Sequence, residues 1–202
     1  MYPQLQLSSP KPDRLPRRAF LIMPVAFAGW IALLRRPERP LPDAASNGGG
    51  PLVELVLFSP AGKPIASKQL RKVVKTREEW RSELSSEEYA ITRRQGTEPP
   101  FTGRYWQTHS LGLYRCVGCG NALFGSSAKF DSGTGWPSFS APLAEENIST
   151  SSDTALAVAR HEVLCRKCDA HLGHVFNDGP PPTGFRYCLN SAALRFATLT
   201  PS

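Results

Sequence analysis

The chain has 202 residues, of which 41% are hydrophobic and 20% charged, which fits a soluble globular protein of one ordinary domain with appendages. Nineteen prolines and sixteen glycines point to many turns and little long helix. The net charge is +7, but residues 1–50 carry seven Lys/Arg against three Asp/Glu, so only +3 is left for the remainder and no nucleic-acid partner is expected of the folded part.

Arg17-Arg18-Ala19-Phe20-Leu21 matches the twin-arginine export pattern. The apolar stretch Ala19 to Leu34 follows, interrupted by Pro24. As a helix it would run roughly 24 Å, short of a hydrocarbon core of ~30 Å. Arg35, Arg36 and Arg39 come directly after it. Residues 1–36 are therefore read as a twin-arginine-type signal or membrane anchor. Asp43-Ala44-Ala45 is a poor cleavage site, so removal and retention both stay open. The alternative is a chance Arg-Arg before a buried helix, for which no partner helix is evident. Export would place the protein in the bacterial cell envelope or periplasm, an oxidising location. Residues 37–51, rich in Pro, Gly and small polar residues, read as a linker.

Val53 to Phe58 reads as a strand, Pro60 to Pro64 as a turn, and a second strand is expected near Ile65. Residues 52–70 would then be a small hairpin extension ahead of a main domain at 71–202. Residues 76–95 are the one helical region. Thr76 with Glu79 and Ser85 with Glu88 make two capping boxes, which predicts two short helices, the second ended by Gly96. From Tyr105 onward short β segments alternate with turns, at 111–115, 121–124, 156–164, 171–176, 184–189 and 191–196. The expected fold class is mainly β, with antiparallel sheets and a short helical N-terminal arm.

The five cysteines all lie in the C-terminal half. Cys116-Val-Gly-Cys119 and Cys165-Arg-Lys-Cys168 each put two sulfurs on one tight turn. Two such turns complete a tetrahedral four-sulfur shell, the donor set of structural Zn²⁺. Two redox disulfides are the alternative, although neither pair opens a helix in a βαβ unit.

The fifth cysteine, Cys188, lies in the stretch richest in chemistry. Arg186, Cys188 and Asn190 alternate along a strand, so all three can share a face. His171 and His174 precede them, and Asp178 begins a proline-rich turn. Arg186 would favour a Cys188 thiolate by charge, and Asn190 could orient it or a substrate oxygen. Read alone, the same residues also fit a buried, inert thiol with core or zinc-site histidines.

Several long motifs in order make the comparison more specific: GTEPPFTGRYW (96–106), YRCVGCG (114–120), FDSGTGWPSF (130–139), HLGHVFNDGPPPTG (171–184) and RYCLNSAALRF (186–196). Over roughly residues 71–197 the chain resembles methionine-R-sulfoxide reductase, the B type. The resemblance implies a fold of two antiparallel β-sheets, β-tent-like, with a structural zinc knuckle away from the active site. It implies Cys188 as nucleophile, His171 and His174 as active-site histidines, Arg186 and Asn190 as polar partners, and Asp178 as a supporting carboxylate. Trp136 and Phe139 fall at substrate-binding positions, with Trp136 as the wall that receives the substrate methyl group.

The implied activity is reduction of peptide-methionine (R)-S-oxide, a protein-repair function in the response to oxidative stress. The Cys188 thiolate would attack the sulfoxide sulfur, release methionine and become a sulfenic acid. Many family members place a second, resolving cysteine in the DSGxGWPSF loop, where this chain has Thr134. The expectation is a one-cysteine enzyme, acting as a monomer and recycled by an external thiol reductant of thioredoxin-like type. Two other classes stay open: a zinc-ribbon-like binding module, and a disulfide oxidoreductase using one C-x-x-C. Both predict that Cys188 is dispensable.

Overall fold

A computed structural model describes residues 49–153 and 160–200. The proposed signal or anchor and most of the linker lie outside the described residues. Among the described residues no helix is long and apolar enough to cross a membrane.

The described residues begin with a hairpin, β1 (Leu52–Phe58) and β2 (Pro64–Arg71), followed by helices α1 (Arg77–Glu83) and α2 (Ser86–Arg94). Among the described residues nine strands follow: β3 (Gly112–Cys116), β4 (Ala122–Gly125), β5 (Lys129–Phe130), β6 (Ser138–Phe139), β7 (Ile148–Asp153), β8 (Arg160–Cys165), β9 (His171–Phe176), β10 (Arg186–Leu189) and β11 (Leu194–Thr198). A six-stranded sheet has the order β5-β6-β10-β9-β8-β7, and a three-stranded sheet the order β11-β3-β4. All pairings are antiparallel. The fold is the mainly β class with a helical arm that the sequence pattern predicts, with the hairpin as a further small sheet.

Both capping boxes form. Thr76 Oγ1 accepts the Glu79 amide at 3.2 Å while the Thr76 amide donates to Glu79 Oε2 at 2.7 Å. Ser85 and Glu88 repeat the exchange at 3.2 and 2.9 Å. The left-handed residue that closes α2 is Gln95 (φ 54°), not the expected Gly96. Glycine is still required at 96 because of a close approach: a Cβ there would lie 2.9 Å from the Ala90 carbonyl oxygen.

The core sits between the two larger sheets. Phe139 of β6 packs its ring 4.9 Å from that of Tyr114 on β3 and 4.8 Å from that of Phe124 on β4. Trp80 of α1 joins the same cluster. The hairpin is tied to this body through Asn147, which is fully buried. Asn147 Oδ1 accepts the Val56 amide at 2.9 Å, and Nδ2 donates to the Val56 and Ala122 carbonyls at 2.9 and 2.7 Å. One amide side chain thus does for β1 what a neighbouring strand would do.

Candidate active site and metal centre

Cys188 sits at the middle of the six-stranded sheet. In the antiparallel register it lies opposite His174 on one side and Ser138 on the other. His174 in turn lies opposite Glu162 of β8. Directly opposed residues project to the same face, so Glu162, His174, Cys188 and Ser138 form a row across four strands.

His171 reaches this face because β9 is irregular. Val163 pairs with Gly173 but Leu164 with His171, which leaves Leu172 as an extra residue. The bulge reverses the alternation, and the rings of His171 and His174 come within 5.4 Å of each other. Gly173 is needed at the bulge, since a Cβ there would lie 2.1 Å from the Cys188 carbonyl oxygen. His171 is 2% exposed; its Nδ1 lies 2.7 Å from Glu162 Oε1, and its Nε2 is buried without a partner. An ionised carboxylate only accepts, so Nδ1 donates in this pair. Glu162, itself 4% exposed, also receives Gln95 Nε2 at 3.1 Å and Ser151 Oγ at 3.0 Å.

Arg186 is committed to Asp178. Nε and Nη2 bind the two carboxylate oxygens at 2.8 and 2.7 Å, and the guanidinium lies over the Phe176 ring at 4.5 Å. This bidentate partner holds the Asp178 carboxyl below its usual range. The charge expected to activate Cys188 is therefore largely matched by another anion. Burial pushes the Cys188 thiol up; the Thr134 hydroxyl, the Arg186 charge and the Ser138 hydroxyl pull against it without reversing it. The help expected from Arg186 is thus opposed by burial, which holds the thiol above its ordinary value. Thr134 Oγ1 stands 3.9 Å from Cys188 Sγ and joins a hydroxyl chain with Ser132 and Ser138, each link 2.8 Å.

Beside Cys188 is a cavity of about 150 Å³ lined by Thr97, Trp136, His174, Phe176, Cys188 and Asn190, among others. An apolar cavity of that size holds a benzene-sized guest, which suits the end of a side chain. Asn190 lines it but is 3% exposed, and its amide binds backbone: Oδ1 accepts the Glu98 amide at 3.0 Å and Nδ2 donates to Leu172 O at 3.1 Å. It holds the pocket wall through both ends of its amide.

Phe139 does not belong to this cavity. It is fully buried among the core aromatics, because alternation along β6 sends Ser138 toward Cys188 and Phe139 to the opposite face.

Two carboxylates were missed by the sequence reasoning. Glu162 is one. The other is Glu98, 3% exposed, whose carbonyl accepts Trp136 Nε1 at 3.0 Å and whose carboxylate accepts the Ser191 and Ala192 amides at 2.7 and 3.0 Å. Glu98 lies within the 96–106 motif, and Glu162 lies in the 156–164 segment outside every motif. The signal available was a charged residue amid segments that fold inward.

The other four cysteines gather in a separate cluster. Cys116 ends β3 and Cys165 ends β8; Cys119 and Cys168 follow on tight turns. The turns match each other. The residue after the second cysteine is left-handed in both, Gly120 at φ 70° and Asp169 at φ 55°. All four Sγ atoms lie within 4.8 Å of one another, with Cys116–Cys168 at 3.6 Å and Cys119–Cys165 at 3.5 Å. A tetrahedral ion with bonds of ~2.3 Å to sulfur needs S–S edges of about 3.8 Å, and a disulfide needs ~2.05 Å. The donor set and its spacing fit a metal ion.

Comparison with known proteins follows the same outline. The SelR domain family matches residues 84–198. The chain is 59% identical over 125 residues to the peptide methionine sulfoxide reductase MsrB of Herminiimonas arsenicoxydans, covering 62% of this chain and 91% of that protein. It is 58% identical over 125 residues to the MsrB of Hahella chejuensis, covering 62% and 90%. To the MsrB of Thiobacillus denitrificans it is 59% identical over 122 residues, covering 60% and 92%.

Proposed function

The chain belongs to the peptide methionine sulfoxide reductase MsrB family and is an oxidoreductase that reduces methionine sulfoxide; from that premise we propose that Cys188 is its nucleophile, acting on the R epimer. The observation that carries this assignment is the place of Cys188 beside the cavity, directly across from His174, in a pocket it shares with the anchored indole of Trp136.

The oxygen of a bound sulfoxide makes its sulfur electrophilic once it accepts a proton or a strong hydrogen bond. His174 lines the cavity and supplies that donor, backed by the His171–Glu162 pair behind it. Trp136 and Phe176 supply the apolar surface for the methyl group, and the fixed wall decides which epimer presents its oxygen to His174. Burial holds the Cys188 thiol up, and as sulfur attacks sulfur the thiol proton replaces, by way of His174, the one given to the sulfoxide oxygen. The hydroxyl then shifts to Cys188 Sγ as the substrate S–O bond and the transient S–S bond break, so that methionine departs and Cys188 is left as a sulfenic acid. Thr134 and Ser138 are placed to hydrogen-bond the developing anion.

Regeneration needs two thiols. The first condenses with the sulfenic acid, releasing water and forming a mixed disulfide; the second releases the Cys188 thiol and leaves an external disulfide. With Thr134 at the resolving position and the other cysteines clustered, an external thiol of thioredoxin-like type serves this role for a monomeric enzyme. Cys116, Cys119, Cys165 and Cys168 would hold Zn²⁺, which would cross-link β3 and β8 and add binding energy to folding.

Twin-arginine export of the chain is supported by Arg17-Arg18 and the apolar stretch after it. Replacing both arginines by lysine is expected to retain the protein in the cytoplasmic fraction, and unchanged export would contradict the assignment.

The nucleophile is tested by adding one equivalent of methionine sulfoxide without reductant. The protein is expected to gain one oxygen atom, mapped to Cys188 by a sulfenate-reactive probe. Oxygen gained at a different cysteine, or none gained while methionine is released, would sink the assignment.

A further inference from the structure

Arg93 lies in the last turn of α2 and is only 6% exposed. A guanidinium does not lose its proton in a protein, so this is a permanent buried cation. Such a charge needs an opposite charge or dense hydrogen bonding nearby. Among the described residues no carboxylate pairs with it. Nη1 donates to the Cys168 carbonyl at 2.8 Å, Nη2 lies 3.3 Å from Cys168 Sγ, and Nε is buried without a partner. The guanidinium is stacked on Trp80, 3.8 Å from the ring centroid.

The other sulfur turn is close as well. A Cβ built on Gly118, between Cys116 and Cys119, would lie 3.2 Å from the Trp80 ring and 3.6 Å from Arg93 Nη2. The cation is thus wedged between an indole and both C-x-x-C turns. Among the described residues the negative charge that Arg93 itself contacts can come from the sulfur cluster. Two disulfides would be neutral, as would four thiols. Four thiolates on a divalent ion leave two net negative charges against the guanidinium.

We infer that Arg93, clamped on Trp80, is the counter-ion of a tetrathiolate metal centre and favours the metal-loaded cluster over paired disulfides. The inference rests on the zinc reading of the cluster and is independent of the chemistry at Cys188. It also gives the buried cation a reason to exist: the pair Trp80–Arg93 presents charge to the sulfurs while excluding water that would weaken it.

The test uses the full chain loaded with zinc, and compares Arg93→Met and Arg93→Lys with the parent. Zinc release into excess chelator is followed with a metal-sensitive dye. The thiolate-to-metal absorption of the cobalt-substituted protein reports the ligand field separately. Arg93→Met is expected to release zinc faster by roughly 10- to 100-fold, the range for loss of a partner that supports metal ligands. Arg93→Lys keeps the charge but not the fork, and is expected to fall between. Should Arg93→Met fail to fold, Arg93→Lys and Trp80→Phe carry the comparison, each with faster release than the parent. Equal release rates among folded variants would overturn the inference while leaving the metal centre intact. A parent protein that takes up no zinc and carries two disulfides would overturn the metal centre and the inference together.

Discussion

Cys188 is surrounded by groups that disagree about its charge. Burial favours the thiol; Thr134, Arg186 and Ser138 favour the anion, and burial prevails. The Arg186 charge is offset by Asp178, which it binds through two hydrogen bonds. Removing the carboxylate leaves the cation uncompensated, so Asp178→Asn is expected to lower the pH midpoint for alkylation of Cys188. Arg186→Met is expected to raise it. Shifts in the opposite directions, read from iodoacetamide rates against pH, would contradict this balance. The raised thiol has a consequence for stability as well. Its neutral burial is compatible with the fold below the ordinary thiol range of about 8.5. Above that range the unfolded thiol ionises first, and stability is lost as pH rises.

The residue types were legible in the sequence, and some of their roles were not. Alternation along 186–190 suggested a shared face for Arg186, Cys188 and Asn190, but it could not show that Arg186 spends its charge on Asp178 or that Asn190 is held by backbone at both ends.

At the scale of elements, the pattern carries what is local. The capping boxes at Thr76 and Ser85 are written in four residues each and form as written. The short strands β5, β6 and β7 were not predicted, because two-residue strands have no period to read and β7 (ISTSSD) lacks an apolar face. The β9 bulge was also hidden. Three-residue spacing puts His171 and His174 on opposite faces of a regular strand, and only the extra Leu172 brings them together.

Phe139 is the clearest case of motif reasoning overreaching. It shares a motif with Trp136, yet the strand turns it into the core. Phe139→Ala is expected to cost about 3–5 kcal/mol of stability, with KM for the sulfoxide unchanged in the fraction that stays folded. Trp136→Ala is expected to do the reverse, raising KM with a smaller loss of stability. Denaturant unfolding and steady-state kinetics on the two variants separate these outcomes. A KM effect confined to Phe139→Ala would return that residue to the site.

For the molecule as a whole, the two C-x-x-C pairs point to one four-sulfur cluster, which gathers the ends of β3 and β8. What spacing could not convey is how short the path is from that cluster to the catalytic pocket. Arg93 touches Cys168, Gln95 binds the carboxylate that holds His171, Thr97 lines the cavity, and Glu98 fixes Trp136 and Asn190. A single stretch at the end of α2 therefore borders both centres, and the metal site and the active site share their support. The hairpin docks through Asn147 and through Lys72 paired with Asp169 at 2.5 Å, beside the second sulfur turn. It braces the same half of the protein.

The central claim is that this architecture reduces one epimer of methionine sulfoxide through Cys188. The most direct measurement is turnover of the separated R and S epimers of a dabsylated methionine sulfoxide, with dithiothreitol as reductant, for the full chain and for Cys188→Ser. The account predicts turnover of the R epimer alone, abolished in the variant. Equal turnover of both epimers, or activity that survives in a folded, zinc-loaded Cys188→Ser protein, would contradict it.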